Sequence, residues 1–258
     1  MRTITGPAIV GTATTVRDAA LGAVRDAVLD GLAVLAPVAC AGCGAVDRAV
    51  CGDCLAALVP EPRIVTRAVP GVEAQLRAHA ALAYTGRAAM ILAAFKDGGR
   101  TDAAKPLAVA LRAALASALA SALAEGPVAG PARGIEIATV PSTPRAHRER
   151  GYAPVELLLG RSGIRSARVL RLARERADQA GLGQAARRAN AAGALVALRR
   201  LDGRRFLLVD DILTTGSTLA EAARAVGMAG GSVVGSAVVA ETPLHRGSAL
   251  GELPANAS

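Results

Sequence analysis

Apolar positions along the C-terminal half of the chain switch repeatedly between two spacings, and that switching sets the expected fold. Short apolar runs bounded by Gly, Pro and charged residues predict strands at 135–140, 167–172, 193–198, 205–210 and 232–240. Three- and four-residue apolar steps predict helices near 154–159 and over 217–228. Upstream, a predicted strand at 80–84 precedes two Ala-rich helices, which Lys96-Asp-Gly-Gly99 separates and Gly126-Pro127 ends. Strands alternating with helices predict an α/β fold, a mainly parallel sheet flanked by helices. Near the N-terminus, Leu21, Val24, Val28, Leu32 and Leu35 mark one face of a helix that Pro37 ends, and Pro60-Glu-Pro62 closes this region. The expected division is an N-terminal unit over 1–62 and a larger domain over 72–246.

Composition narrows the function classes. With 52% hydrophobic and 20% charged residues among 258, the chain is no disordered protein. No Trp, 2 Tyr and 2 Phe leave too few aromatics for a base-stacking platform as the main activity. Basic charge is concentrated: residues 133–205 hold 16 Arg against 6 acidic residues, while the rest of the chain is nearly neutral. Such a local excess implies an anionic partner, either a polyphosphate ligand, nucleic acid or both, unless it is a solvated face. The most apolar stretch, 107–124, is mostly Ala with Arg112 inside it and reads as a soluble helix rather than a span. With a poor signal peptide at the N-terminus, the expectation is a cytoplasmic protein without membrane insertion.

The cysteines carry the first chemical signal. Cys40-x2-Cys43 and Cys51-x2-Cys54 are the 4 Cys of the chain, and each pair can hold one tetrahedral metal through two thiolates. Structural zinc is the expected occupant. Paired disulfides and an iron–sulfur cluster are the alternatives. The metal would staple a unit too small to bury a core of its own, so stripping it should unfold that unit and spare the larger domain.

A second signal lies further on. Phe206-Leu-Leu-Val-Asp-Asp-Ile-Leu-Thr-Thr-Gly-Ser-Thr-Leu219 is an apolar strand, two adjacent acids, a hydroxyl-Gly loop and a helix start. Backbone N–H groups over 214–218 can wrap a phosphate there, with donors from Thr214, Thr215, Ser217 and Thr218 and close approach at Gly216. Asp210 and Asp211 would repel a phosphate. They suit the vicinal hydroxyls of a ribose, with Mg²⁺ nearby. A Walker loop is excluded by the missing Gly-Lys-Ser/Thr.

This run resembles the phosphoribosyl-pyrophosphate signature of type I phosphoribosyltransferases. Over about 29–240 the chain resembles the ComF family, competence-associated phosphoribosyltransferase-like proteins. The pattern comprises the two Cys pairs, Tyr84, Phe95-Lys96-x-x-Gly99, Val140-Pro141 with Arg148-x-Arg150-Gly151-Tyr152, Arg174 with Gln179, Arg188-x-Asn190 and the 210–219 run. Two places depart from it. Ser142-Thr143 stand where the family has Leu-His, and Ala153-Pro154 where it has Asn-Gln.

The resemblance implies a type I phosphoribosyltransferase-like fold with an N-terminal zinc unit. It also implies binding of phosphoribosyl pyrophosphate with Mg²⁺, and transfer to an unidentified acceptor in the setting of DNA uptake. Asp210, Asp211, Arg148 and Arg150 are the expected catalytic residues. Substrate contacts are expected from Thr214, Thr215, Gly216, Ser217, Thr218, Ser142, Thr143, Arg145 and Lys96. Arg145, Arg148 and Arg150 are placed on a loop after the 135–140 strand, where guanidinium forks can clamp a leaving pyrophosphate. The polar stretch 174–190 reads as a lid over the ribose. The alternative is a non-catalytic nucleotide- or DNA-binding accessory, with single-stranded DNA and DNA-uptake or helicase proteins as partners.

Overall fold

A computed structural model describes residues 38–46, 48–72, 75–126, 134–173 and 193–244. The expected helix at 17–35, the 174–190 lid and His245 lie outside the described residues. A central sheet of five strands organises the molecule: β1 (Arg63–Arg67), β2 (Leu76–Ala83), β3 (Ile135–Thr139), β6 (Arg205–Leu213) and β7 (Ser232–Glu241). Its order is β1-β2-β7-β6-β3. β1 and β2 run antiparallel, whereas the β2–β7, β7–β6 and β6–β3 pairs are parallel. The fold is thus the expected α/β architecture with a mostly parallel sheet.

Strand alternation splits β6 between two cores. Leu207 and Val209 belong to one face, and Phe206 and Leu208 to the other. Helix α1 (Gly52–Ala56) lies in the cysteine region, and helices α2 (Gly86–Asp97), α3 (Ala104–Ala124) and α5 (Pro154–Arg161) cover the first face. The second is covered by α6 (Ser217–Met228) and by a separate antiparallel pair, β4 (Leu170–Leu172) with β5 (Leu195–Ala197). The segment Thr101–Ala124 is long enough to cross a membrane, and an 18-residue stretch within it has a mean hydropathy of 1.8. Its Leu107, Leu111, Ala114 and Ala118 are instead core residues packed over the sheet, which accounts for much of its apolar character.

Four features differ from the sequence expectation. β1 was not foreseen, because two flanking arginines hide its apolar centre. The two strands expected at 167–172 and 193–198 are short, and they pair with each other rather than joining the parallel sheet. The expected Arg-rich loop after β3 is a helix, α4 (Pro144–Arg150). Its start is chemically marked: Thr143 accepts a hydrogen bond from the Ala146 N–H at 3.1 Å, and Pro144 occupies the first turn. Finally, β6 runs through Leu213, so the acid pair lies within the strand rather than after it.

The cysteine region is not a detached bead. Cys40, Cys54 and Leu58 share a core with Ile91, Leu92 and Phe95 of α2. Arg87 reaches Asp53 at 3.3 Å, and Arg100 donates to the Ala49 carbonyl at 3.3 Å. Here a small metal-type knuckle borrows the hydrophobic surface of the larger domain.

Candidate functional site

Parallel strands ending side by side leave a crevice beyond their carboxyl ends, where α/β sheets place ligands. A cleft of about 410 Å³ opens there. The ends of β3 and β6 form its floor, with Val140, Pro141, Ser142 and Thr143 on one side and Thr214 and Thr218 on another. Lys96, at the end of α2, and Arg150, at the end of α4, bring positive charge to the wall.

Electrostatics on the floor separate the two acids. Lys96 Nζ lies 2.9 Å from each carboxylate oxygen of Asp211, closing a pair 115 residues apart in sequence. Among the described residues, no cation is in such contact with Asp210. Burial and the neighbouring Asp211 charge push its carboxyl from 3.8 up to about 7, against the Asp211 N–H and the more distant Lys96, which pull it down. The Asp211 N–H donates to Asp210 Oδ1 at 2.8 Å, and the Ile212 N–H to Asp211 Oδ1 at 2.7 Å, fixing both side chains against their own backbone.

The loop after β6 turns into α6 through Gly216, whose φ is +82°. A Cβ at this position would stand 2.6 Å from Leu76 Cδ2 and 3.4 Å from Val69 Cγ2, so glycine is demanded by both torsion and packing. The close approach foreseen at Gly216 is therefore made to the β1–β2 hairpin. Gly216 supplies no side-chain cap to the twelve-residue helix that follows. Thr215 Oγ1 and Ser217 Oγ lie 3.0 Å apart, and Thr214, Thr215 and Thr218 are exposed. Thr215 Oγ1 accepts from the Ser217 N–H at 3.4 Å, and the helix N-terminus, ringed by hydroxyls and with a glycine at its cap position, is suited to an oxyanion.

Among the other expected site residues, Ser142, Thr143 and Arg150 line the cleft. Arg150 donates to Asp97 Oδ1 at 2.9 Å, and Tyr152 hydroxyl donates to the Phe95 carbonyl, so the α4–α5 connection is tied to the end of α2. Arg145 and Arg148 are not brought to the cleft lining. Both lie exposed on α4, and Arg145 pairs with Glu149 at 2.8 Å, because helix formation turns that face outward. The sequence reading missed Glu156, which lines the cleft and accepts from Thr139 Oγ1 at 2.6 Å and Ser166 Oγ at 2.7 Å. An acid in the first turn of α5, just after Pro154, was the available signal. It also missed Arg67, whose Nε donates to the Thr214 carbonyl at 3.1 Å.

The four cysteine sulfurs converge to within 4.8 Å of one another, and none is in a disulfide. Gly42 and Cys51 N–H groups donate to Cys40 Sγ at 3.4 and 3.3 Å. Burial opposes ionisation of Cys40, but N–H groups of Cys51, Cys43 and Gly42 outweigh it and bring the thiol down to about 6. Cys54, fully buried beside the other three sulfurs, is pushed up to about 12. A Cβ on Gly42 would lie 2.6 Å from Cys54 Sγ, which is why glycine stands inside the first Cys pair. The donor set fits one tetrahedral thiophilic metal.

Residues 169–249 match the family model of the phosphoribosyl transferase domain. That match covers 81 of the 258 residues, and over this stretch the α/β fold is similar to a phosphoribosyl transferase domain. Two curated relatives, adenine phosphoribosyltransferases of Rhodococcus opacus (strain B4) and Rhodococcus jostii (strain RHA1), are each 51% identical over 55 residues. The match covers 21% of this chain, and it spans about a third (31%) of each relative's length. The phosphoribosyl transferase match takes in β6, the acid pair, the Thr-Gly loop and α6, which build part of the cleft floor and one of its walls, while β3 and the 140–143 side lie outside it.

Proposed function

We propose that the protein binds 5-phosphoribosyl 1-pyrophosphate and transfers its phosphoribosyl group to an acceptor with release of pyrophosphate. This is the activity of a pentosyltransferase of the phosphoribosyltransferase type. One observation carries the reading. An acid pair, a hydroxyl-rich helix start with glycine at its cap position and a basic wall meet in a single cleft over parallel strand ends. Loop 214–218, with Gly216 and the hydroxyls of Thr214, Thr215, Ser217 and Thr218, takes the 5-phosphate. Asp210 and Asp211 accept from the two ribose hydroxyls and stabilise positive charge on the sugar as its C1–oxygen bond breaks. Lys96, Arg150 and the backbone of Ser142 and Thr143 receive the departing pyrophosphate. Arg145 and Arg148, outside the cleft, steer the anionic substrate rather than clamp it.

The raised carboxyl of Asp210 fits a site completed by a cation. Mg²⁺ bound with the substrate would neutralise charge on the acid pair and on pyrophosphate. Zn²⁺ is assigned to Cys40, Cys43, Cys51 and Cys54 as a structural ion, since four thiolates leave no open position. The likeness to adenine phosphoribosyltransferases makes adenine the first acceptor to try. The setting proposed is cytoplasmic, in DNA uptake.

A second reading, a nucleotide- or DNA-binding accessory without catalysis, is favoured by one fact. Arg145, Arg148, Arg161, Arg165 and Arg168 are all exposed and outside the cleft lining, where single-stranded DNA or a DNA-uptake or helicase protein could meet them. Calorimetric titration with phosphoribosyl pyrophosphate and Mg²⁺, then a pyrophosphate-release screen over bases and amines, decides between them. Binding with release supports the transferase. Saturable binding with no release from any acceptor supports the accessory, and absence of binding overturns both assignments of the cleft.

A further inference from the structure

Behind the hydroxyl-rich loop, on the side away from the cleft, sits a buried ionic group that the proposed chemistry does not use. Arg67 is only 5% exposed and Glu241 6%. One Arg67 terminal nitrogen donates to Glu241 Oε2 at 2.5 Å and to the Thr242 carbonyl at 2.7 Å, while its Nε donates to the Thr214 carbonyl at 3.1 Å. Arg63 donates to the other Glu241 oxygen at 2.9 Å. Two guanidiniums thus share one carboxylate, leaving a formal net charge of +1 under the loop. Burying such a group is costly, and well-packed apolar residues would serve stability as well or better. Its placement therefore calls for another explanation.

Peptide planarity supplies one. In a trans peptide the C=O and N–H point in opposite directions. Holding the Thr214 carbonyl on Arg67 sends the N–H of the same peptide, that of Thr215, to the opposite side, where Thr214 and Thr218 line the cleft. Gly216 is seated on the same support, since a Cβ there would lie 3.5 Å from Arg67 Cβ.

We propose that Arg67 is a positioning residue for a phosphate monoester. It turns the 214–215 peptide so that its N–H faces the ligand, and with Arg63 and Glu241 it keeps net positive charge behind the loop. This rests on the reading of loop 214–218 as the 5-phosphate site.

The test uses the full chain, with ribose 5-phosphate as probe, reading affinity by calorimetry and melting temperature in parallel. Arg67→Gln is expected to weaken ribose 5-phosphate binding about 10- to 100-fold, the range for a lost hydrogen bond involving a charged group. Arg67→Lys, which keeps the charge but not the fork, should fall between it and the unaltered protein. Glu241→Gln is the discriminating variant. It breaks both ion pairs and should melt lower, yet bind ribose 5-phosphate at least as tightly, because the charge under the loop rises. If affinity instead followed melting temperature across all three variants, the group would be structural only and the inference overturned. Should Arg67→Gln fail to fold, the opposite responses expected of Arg67→Lys and Glu241→Gln carry the same test. Failure of the unaltered protein to bind ribose 5-phosphate or phosphoribosyl pyrophosphate would overturn the phosphate assignment itself, and that result needs no variant.

Discussion

Asp210→Asn should stabilise the ligand-free protein at pH 8 and leave its stability nearly unchanged at pH 4. In the folded protein, burial and the Asp211 charge hold the Asp210 carboxyl up to about 7 instead of 3.8. At about 1.4 kcal/mol per pH unit, ionising it at neutral pH costs on the order of 4 kcal/mol. Between pH 3.8 and about 7 the folded state keeps a proton that the unfolded chain has released. The contribution of Asp210 to stability therefore falls as pH rises through that window, and it is level above it. The amide removes this penalty and retains Oδ1 as acceptor for the Asp211 N–H, now bonded at 2.8 Å. Its new NH₂ group must find a partner or water, so the expected net gain is smaller, about 2 kcal/mol. Urea denaturation of both proteins at pH 4, 5, 6, 7 and 8 gives the difference directly, since titrating groups that do not interact with Asp210 cancel. A difference independent of pH, or an Asn variant less stable than the parent at pH 8, would refute the reasoning.

The neighbouring acid should respond with opposite sign: Asp211→Asn strips Lys96 of its partner at 2.9 Å and should cost about 1–3 kcal/mol in the same denaturation series at pH 7. Gly216→Ala forces a side chain to φ +82° and a Cβ to 2.6 Å from Leu76 Cδ2. It should lower stability by about 1–3 kcal/mol, and calorimetry should find affinity for phosphoribosyl pyrophosphate at least tenfold weaker, by roughly 1.4 kcal/mol or more. Metal analysis of protein purified without chelator should return about one zinc per chain. Chelation, or Cys54→Ser, should lower the melting temperature and also weaken ligand binding, because α2 joins the cysteine core to Lys96. Ligand binding untouched by metal loss would restore the picture of an independent N-terminal unit.

What the sequence determined by itself was local. The span Ser217–Met228 of α6 coincides with the apolar periodicity, and the run from Phe206 through two acids into a Thr-Gly turn announces strand, loop and helix in consecutive residues. The cysteine cluster was legible for the same reason, since each C-x2-C pair can grip one metal through a tight local turn, although the meeting of the two pairs is a feature of the folded chain. Helix α4 was also locally encoded, by Thr143 as cap and Pro144 in the first turn, but a dense run of arginines drew the reading toward a loop. Tertiary structure alone decided the remainder. β1 has two arginines around Ile64-Val65-Thr66, and only its register with β2 makes it a strand and buries Arg67 under the Thr214 carbonyl. The strands β4 and β5 are three residues each with more than twenty between them, so nothing local selects each other as partner over the main sheet. Lys96 finds Asp211 because α2 packs across the sheet and points its last turn at the end of β6. Periodicity records which side of an element is buried, but which element covers it is set by chain closure and burial summed over the whole fold. The cleft depends on those choices, and so the acids, Lys96 and Arg150 could be named from the chain while the pairing of Lys96 with Asp211 and the place of Arg67 could not.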